Sequence, residues 1–474
     1  MGKIDLIVSA PHFYTMTGNG VGYMADTAMA VDGGKIKAIA PAGEILKSYS
    51  AHHLIDGKDH LVLPGFIDGH MHMTDGLLRG LAQDTSNWMM HGIAPFQLKM
   101  DEQGAALGGE LAVAEGLAAG TTTFGEFSNM NPALLKFMDK TGVRCQMTVK
   151  IREAEERIYD PGELYVFDQG MGRTTLNQCL DAHDHWQGAG DGRIGILFGP
   201  QGPDFVSKQL LLEIRRLAME RNCRIHMHVQ QGDRETAQMV NRYGQRPIAF
   251  LDQMGYLDEH LIAVHLTDAS EEEAALVAKR GASMILCSGS IGIIDGIVPP
   301  AKAFQDAGGN VALGSDQAPG NNCHNIFNEM KLTALFNKIL YQDPEVMPAW
   351  KVLRMATIEG AKALGLHEEI GTLEPGKQAD FITINLATPS MAPVYTEPMR
   401  NMVPNLVYSA RGNEVSTVVV NGQVLYENGH YHTLDLAKIL EQANLYAQQL
   451  GPKAADTFWK INGANAQLMR THRL

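Results

Sequence analysis

The sequence predicts an α/β chain: a (β/α)8 TIM barrel beside a composite β-domain that both chain ends build. Three observations carry that expectation. From Leu63 to about residue 314, eight short apolar runs alternate with helical patterns, and eight βα units over ~250 residues are the arithmetic of a TIM barrel. Outside that span the texture changes to short strands and turn signals. Two of the runs end in His-Met-His, at 70–72 and at 226–228, and strand C-termini are where such barrels keep their active-site residues. A doubly wound open sheet is the structural alternative, although no GxGxxG follows the first run.

In chain order, residues 4–9 and 27–40 read as short strands with turns at Gly33-Gly34 and Pro41-Ala42-Gly43. No crossover helix is evident before Val62, so a small antiparallel unit is expected there. Phe66–Asp68 is the first barrel strand. The helix candidate 105–119, closed by Gly120, precedes a strand at 121–124. Helical 132–141 leads to a strand at 143–149, 176–186 to 194–198, and 208–221 to 224–229. Then 248–254 leads to 261–264, 271–279 to 283–286, and 300–307 to 311–314. After the helical stretch 351–364 the turn-rich texture returns. A strand is expected at 379–384 and a hairpin at 414–426, with Asn421-Gly422 as its two-residue turn. Residues 1–62 and 368–432 are thus assigned to one composite domain, 63–367 to the barrel and 433–474 to a helical tail.

The 474 residues are too many for one compact core. Net charge is −14, which argues against nucleic acid or an anionic membrane as a partner. The N-terminus lacks a signal-peptide shape, and no window reaches ~18 apolar residues. The five cysteines are scattered, with no CxxC, as expected of reduced thiols in a cytoplasmic protein.

On a strand the side-chain period is two, so His70 and His72 share one face, as do His226 and His228. Imidazoles at that spacing can share a metal ion. The sixth strand ends in Val264-His265 and the eighth in Gly314-Ser315-Asp316. Four strand ends carrying His, His, His and Asp point to a metal site. His183 and His185 lie on a helix, ~200° apart, and are expected to face solvent. Asp233-Arg234-Glu235 reads as a solvated helix start, and His52-His53 as a bland pair.

PGFIDGHMH, HMHVQ, VHL and LGSD, in this order, resemble the amidohydrolase superfamily, in particular its cytosine-deaminase and triazine-hydrolase branch. That branch includes atrazine chlorohydrolase and the methylthioadenosine/S-adenosylhomocysteine deaminases. LLRGLAQD, the segment Asn321–Met330, MATIEGAKALGL, IGTLEPGKQADFI and the VVVNGQVLYENG hairpin extend the resemblance over nearly the whole chain. It implies a small composite β-sandwich domain built from both chain ends. It also implies one divalent metal, zinc first, with iron, cobalt or manganese as alternatives. The implied ligands are His70, His72, His228 and Asp316, with His265 bonding the water that the metal activates. His228 is chosen over His226 because the family's ligand lies three residues before its acid/base. No candidate for a carbamylated lysine stands at the fourth strand's end, which favours a mononuclear site. Substrate contacts are expected from Trp88, Gln97, Gln201, Gln231 and Asn322.

Three positions depart from the branch. The acid/base glutamate expected three residues after His228 is Gln231. A ribose-contacting glutamate becomes Gln97, and a substrate-contacting histidine becomes Gln201. An amide cannot shuttle a proton, so Asp316 is expected to serve as ligand and proton carrier together. Asp233, Glu235 and Asp268 are the other acids nearby in sequence. The favoured function is hydrolysis of a non-peptide C–N bond (amide, urea, carbamate or cyclic amide/amidine) in a small molecule. A heterocycle aminohydrolase or triazine-type chlorohydrolase is the rival, and an inactive amidohydrolase-like scaffold the non-enzyme alternative. Family habit suggests a homodimer or larger assembly.

Overall fold

A computed structural model describes residues 2–160 and 162–474. The first five strands are β1 (Gly2–Tyr14), β2 (Tyr23–Asp32), β3 (Lys35–Pro41), β4 (Tyr49–Asp56) and β5 (His60–Pro64). Strands β6 (Phe66–His72), β7 (Thr121–Ser128), β8 (Arg144–Ile151), β9 (Ile194–Pro200) and β10 (Ile225–Val229) begin a parallel barrel. It continues through β11 (Leu261–His265), β12 (Ser283–Leu286) and β13 (Val311–Leu313) to β14 (Asp316–Gln317). β13 pairs with β12 while β14 pairs with β6, so one interrupted last strand closes the ring. Its strands are buried along almost their whole length, as parallel strands covered by helices must be.

Strands β15 (Phe381–Asn385), β16 (Val415–Val420), β17 (Gln423–Glu427) and β18 (His430–Tyr431) return to the first sheet. Its order is β18-β17-β16-β15-β5-β1-β2-β3, with β4 on β1, so both chain ends build one sheet. The β16–β17 hairpin turns at Asn421-Gly422, and the tail forms helices Leu436–Ile461 and Ala464–Arg470. The N-terminal unit corrects one expectation. β1 pairs in parallel with β4 and with β5, and the helix Ala42–Ser48 makes the crossover. Only Ile45 of that helix is buried, so it leaves no 3.6-residue pattern to read.

Arg144, at the start of β8, joins sheet and barrel. Its Nε donates to Asp380 at 2.8 Å, and the Asn421 N–H donates to the same carboxylate at 2.8 Å. This buried pair lies at the N-terminal end of a barrel strand, the end that carries stability rather than chemistry in such barrels. The C-terminal helices brace the opposite end. Tyr446 donates to Asp101 at 2.8 Å, and Asn465 donates to the Leu81 carbonyl at 3.4 Å. All five cysteines are free. Among the described residues no helix is long and apolar enough to cross a membrane.

Candidate active site

The site begins with hydrogens that point away from it. His72 donates from Nδ1 to the Phe127 carbonyl at 2.6 Å, and His228 from Nδ1 to the Gln201 carbonyl at 2.6 Å. A carbonyl only accepts, so both Nδ1 atoms carry the hydrogen and both Nε2 atoms carry a lone pair. Those two Nε2 atoms lie 3.3 Å apart. His70 faces His226 through Nδ1 at 3.0 Å, and its buried Nε2 has no partner. Asp316 Oδ1 is 3.4 Å from His72 Nε2 and 3.7 Å from His70 Nε2. Ligand atoms of His70, His72 and His228 lie within 4.8 Å of one another, as do those of His70, His265 and Asp316. Two imidazole lone pairs, the unpartnered His70 Nε2 and a carboxylate converge. That donor set can hold a metal ion and suits zinc or a neighbouring first-row metal.

Burial keeps the imidazoles neutral. It holds the His72 pKa down at about 4 and that of His265 at about 3, and it lowers His70 and His228 well below the usual histidine range. Burial also pushes the Asp316 carboxyl up to about 7, against the Ser290 hydroxyl that donates to it at 2.5 Å. The backbone is strained where these side chains turn inward: φ is +76° at His265 and +59° at Asp316, positions that cost ~1–3 kcal/mol each for non-glycine residues. Gly314 lets the last strand close on the first. A Cβ there would lie 2.7 Å from the His70 carbonyl oxygen.

His226 occupies the layer beneath. Fully buried, it bridges His70 Nδ1 and the Thr148 hydroxyl, the latter at 2.8 Å. The two histidines of HMH therefore divide. His228 Nε2 meets His72, while His226 backs His70.

A cavity of about 610 Å³ opens over this cluster, lined among others by His72, His228 and Asp316, a size that suits a small molecule. Trp88, Gln97, Gln201 and Gln231 line it too. Asn322 does not. It is exposed, and its Oδ1 accepts from Gln83 at 3.0 Å at the end of a short helix. Its left-handed backbone, φ +67°, turns it out where a regular helix would continue. His183 is half-buried and only His185 is exposed.

The solvated reading of Asp233-Arg234-Glu235 holds for Asp233 alone. Glu235 is buried and accepts the N–H groups of Gln230 and Gln231 at 2.8 and 2.7 Å. Arg234 pairs with Asp204 at 2.5 Å. The loop after β10 needs an acceptor for its main-chain donors, and Glu235 folds back to supply it.

The cavity also holds residues that sequence reading missed. Asp75, three residues beyond His72, is buried with a carboxyl pushed up to about 6 by burial, and it accepts from Gln97 Nε2 at 2.9 Å. Lys150 and Arg152 line the wall above β8. The only available signals were the Asp of HMHMTD and a strand continuing past Val149.

The comparisons agree with this architecture. The profile described as "Amidohydrolase family" matches residues 61–425. The chain is 32% identical over 419 residues to a 5-methylthioadenosine/S-adenosylhomocysteine deaminase of Moorella thermoacetica, covering 87% of this chain and 93% of that one. It is 31% identical to a 5'-deoxyadenosine deaminase of Methanosarcina barkeri, covering 94% and 98%. Among solved structures, an adenosine deaminase from Xanthomonas campestris with bound zinc superposes with TM-score 0.87 at 28% identity, covering 94% and 99%. An atrazine chlorohydrolase from Arthrobacter aurescens complexed with zinc gives 0.82 at 22%, covering 93% and 100%, a likeness of fold.

Proposed function

Because the chain belongs to the amidohydrolase family, we propose that it hydrolyses a non-peptide C–N bond of a small molecule, and that His70, His72, His228 and Asp316 hold one divalent metal, zinc in the first instance. The observation that carries the reading is the cluster at the floor of the cavity, where His70 and His72 Nε2 approach Asp316 Oδ1 at 3.7 and 3.4 Å and His228 Nε2 lies 3.3 Å from His72 Nε2. A metal bound there supplies Lewis acidity, polarising a carbonyl and lowering the pKa of water toward ~7.

The chain's own residues do the rest. Asp316 takes the attacking water's proton and returns it to the leaving nitrogen, its Oδ2 held by the Ser290 hydroxyl. His265, buried with both ring nitrogens unpartnered, stabilises charge that develops on the carbonyl oxygen. Gln231 lines the cavity with its main-chain N–H tied to Glu235, and its amide orients the substrate. With no titratable side chain at 231, a substrate whose own carbonyl polarises (an amide, urea, carbamate or lactam) fits best.

The second reading is a heterocycle aminohydrolase, favoured by the deaminase names of relatives at 31–32% identity. A screen of the metal-loaded protein across cyclic ureas, carboxamides, aminopyrimidines, aminotriazines and adenine nucleosides separates the two. Amine or ring-opened product supports the first reading, and ammonia from a ring amine supports the second.

A further inference from the structure

We propose that the substrate carries an anionic group, a carboxylate in the simplest case, and that Arg152 binds it with Lys150 beside it. The inference rests on the hydrolase reading and narrows its substrate class.

Lys150 lies in β8 and Arg152 just beyond its end. Both line the cavity that contains His72, His228 and Asp316. Arg152 is held firmly by neutral groups. Its Nε donates to the Ala154 carbonyl at 2.5 Å, one terminal nitrogen to the Glu155 carbonyl at 2.9 Å, and the other to Gln201 Oε1 at 3.1 Å. The Phe205 ring lies 4.8 Å from the guanidinium carbon. Burial lowers its pKa from the ordinary arginine range.

Arg152 has no bonded counter-charge, although the charge of Glu156, in the same cavity wall, opposes the effect of burial on it. The two most buried arginines with salt bridges, Arg144 and Arg354, meet Asp380 at 2.8 Å and Glu359 at 3.3 Å, whereas Arg224 bonds only main-chain carbonyls. Among the described residues no carboxylate oxygen comes within 4.0 Å of Arg152. Glu156, an acid of the same loop, is bonded to Lys150 at 3.2 Å with its side chain 46% exposed. Desolvating a cation without a partner is costly. A guanidinium has five N–H donors, and three are used here, which leaves one on each terminal nitrogen. Two donors in a planar fork match a carboxylate.

The anion site is tied to the reacting end by one residue. Gln201 holds Arg152 through its side-chain oxygen and His228 through its main-chain oxygen. A neutral nucleoside would offer Arg152 hydrogen-bond acceptors but no counter-charge. A carboxylate-bearing amide, urea or cyclic amide would span both ends of a cavity of about 610 Å³.

The test is calorimetric binding of metal-loaded protein to two hydroxamates, succinic monohydroxamic acid and its methyl ester. The hydroxamate end addresses the metal, and only the acid offers a carboxylate. The glutaric pair repeats the comparison one methylene longer. We expect the acid to bind at least ~10-fold tighter in at least one pair, as a charge-assisted bidentate contact should. Arg152→Met should bring the acid's affinity down to that of the ester in the same variant, with metal content by elemental analysis reporting a folded site. Arg152→Gln, which keeps an amide donor for the neighbouring carbonyls, repeats the test if the methionine variant does not fold. Equal binding of acid and ester in both pairs, or an advantage that survives the loss of Arg152, overturns the proposal while the hydrolase reading stands. Failure of every hydroxamate to bind overturns the hydrolase reading and this inference with it.

Discussion

His72 and His228 come from strands on opposite sides of the barrel, and their Nε2 atoms lie 3.3 Å apart with both Nδ1 hydrogens committed to main-chain carbonyls. Two lone pairs at that distance repel unless a cation lies between them. We therefore expect purified protein to carry about one divalent metal per chain, measured by elemental analysis. His228→Ala should lose it, whereas His183→Ala should not.

His226 gives a graded version of the same expectation. It does not itself line the cavity and instead backs His70 at 3.0 Å. Partners of this kind fix a ligand's tautomer and orientation, and their loss typically costs 10–100-fold in metal affinity. His226→Phe should weaken metal affinity by about that factor in a chelator competition. His226→Gln, which can still bond His70, should recover part of it. Unchanged affinity in both variants would show that His226 is only core.

Glu126 supplies a pH dependence. Burial pushes its carboxyl up to about 8 although the Met73 N–H donates to it at 2.6 Å. A raised acid keeps its proton in the folded chain where the unfolded chain has lost it. Its contribution is therefore complete below pH ~4.5 and is lost as pH rises toward 8, at up to ~1.4 kcal/mol per pH unit. In metal-free protein, Glu126→Gln should match wild type in urea at pH 5 and exceed it at pH 8.5. Equal midpoints at both pH values would contradict this.

Much of the site was legible because it rests on a period of two. His70, His72, His226 and His228 alternate on strands whose apolar runs are easy to see, and Asp316 closes the last run. What the sequence hid lies where local pattern ends. The third barrel strand continues to Ile151, two residues past the end of its apolar run at Val149, so no strand pattern in the sequence marks Lys150 and Arg152. Glu235 looked solvated because charged runs usually are, yet main-chain donors after β10 draw it inside. Asn322 belonged to a resembling segment, but a left-handed residue turned it outward. The parallel β1–β4 pairing was hidden by a crossover helix with a single buried side chain.

Gln231 makes a prediction about pH profiles. An amide cannot titrate, so activity should lack the limb that a carboxylate at this position supplies. Gln231→Glu should introduce a new limb in kcat/KM and raise ammonia release from aminated heterocycles. Efficient deamination of adenine nucleosides by wild type would contradict the roles given to Gln97, Gln201 and Gln231.

Asp75 on the wall is a second buried carboxyl in the cavity beside Asp316 on the floor. Both Asp75 oxygens face the Gln97 amide, at 2.9 and 3.2 Å, so we expect Asp75→Asn to act mainly on KM. Asp316→Asn should lower kcat of whatever fraction remains metal-loaded by ~10²-fold or more.

The most direct measurement is product analysis in ¹⁸O-labelled water with the substrate that the screen finds. The account predicts that metal-loaded protein releases amine or ammonia with one ¹⁸O in the carbonyl product. Release should stop in chelated protein and fall ~10²-fold or more in Asp316→Asn. Turnover that survives full removal of the metal, or chloride release with every C–N bond intact, would contradict it.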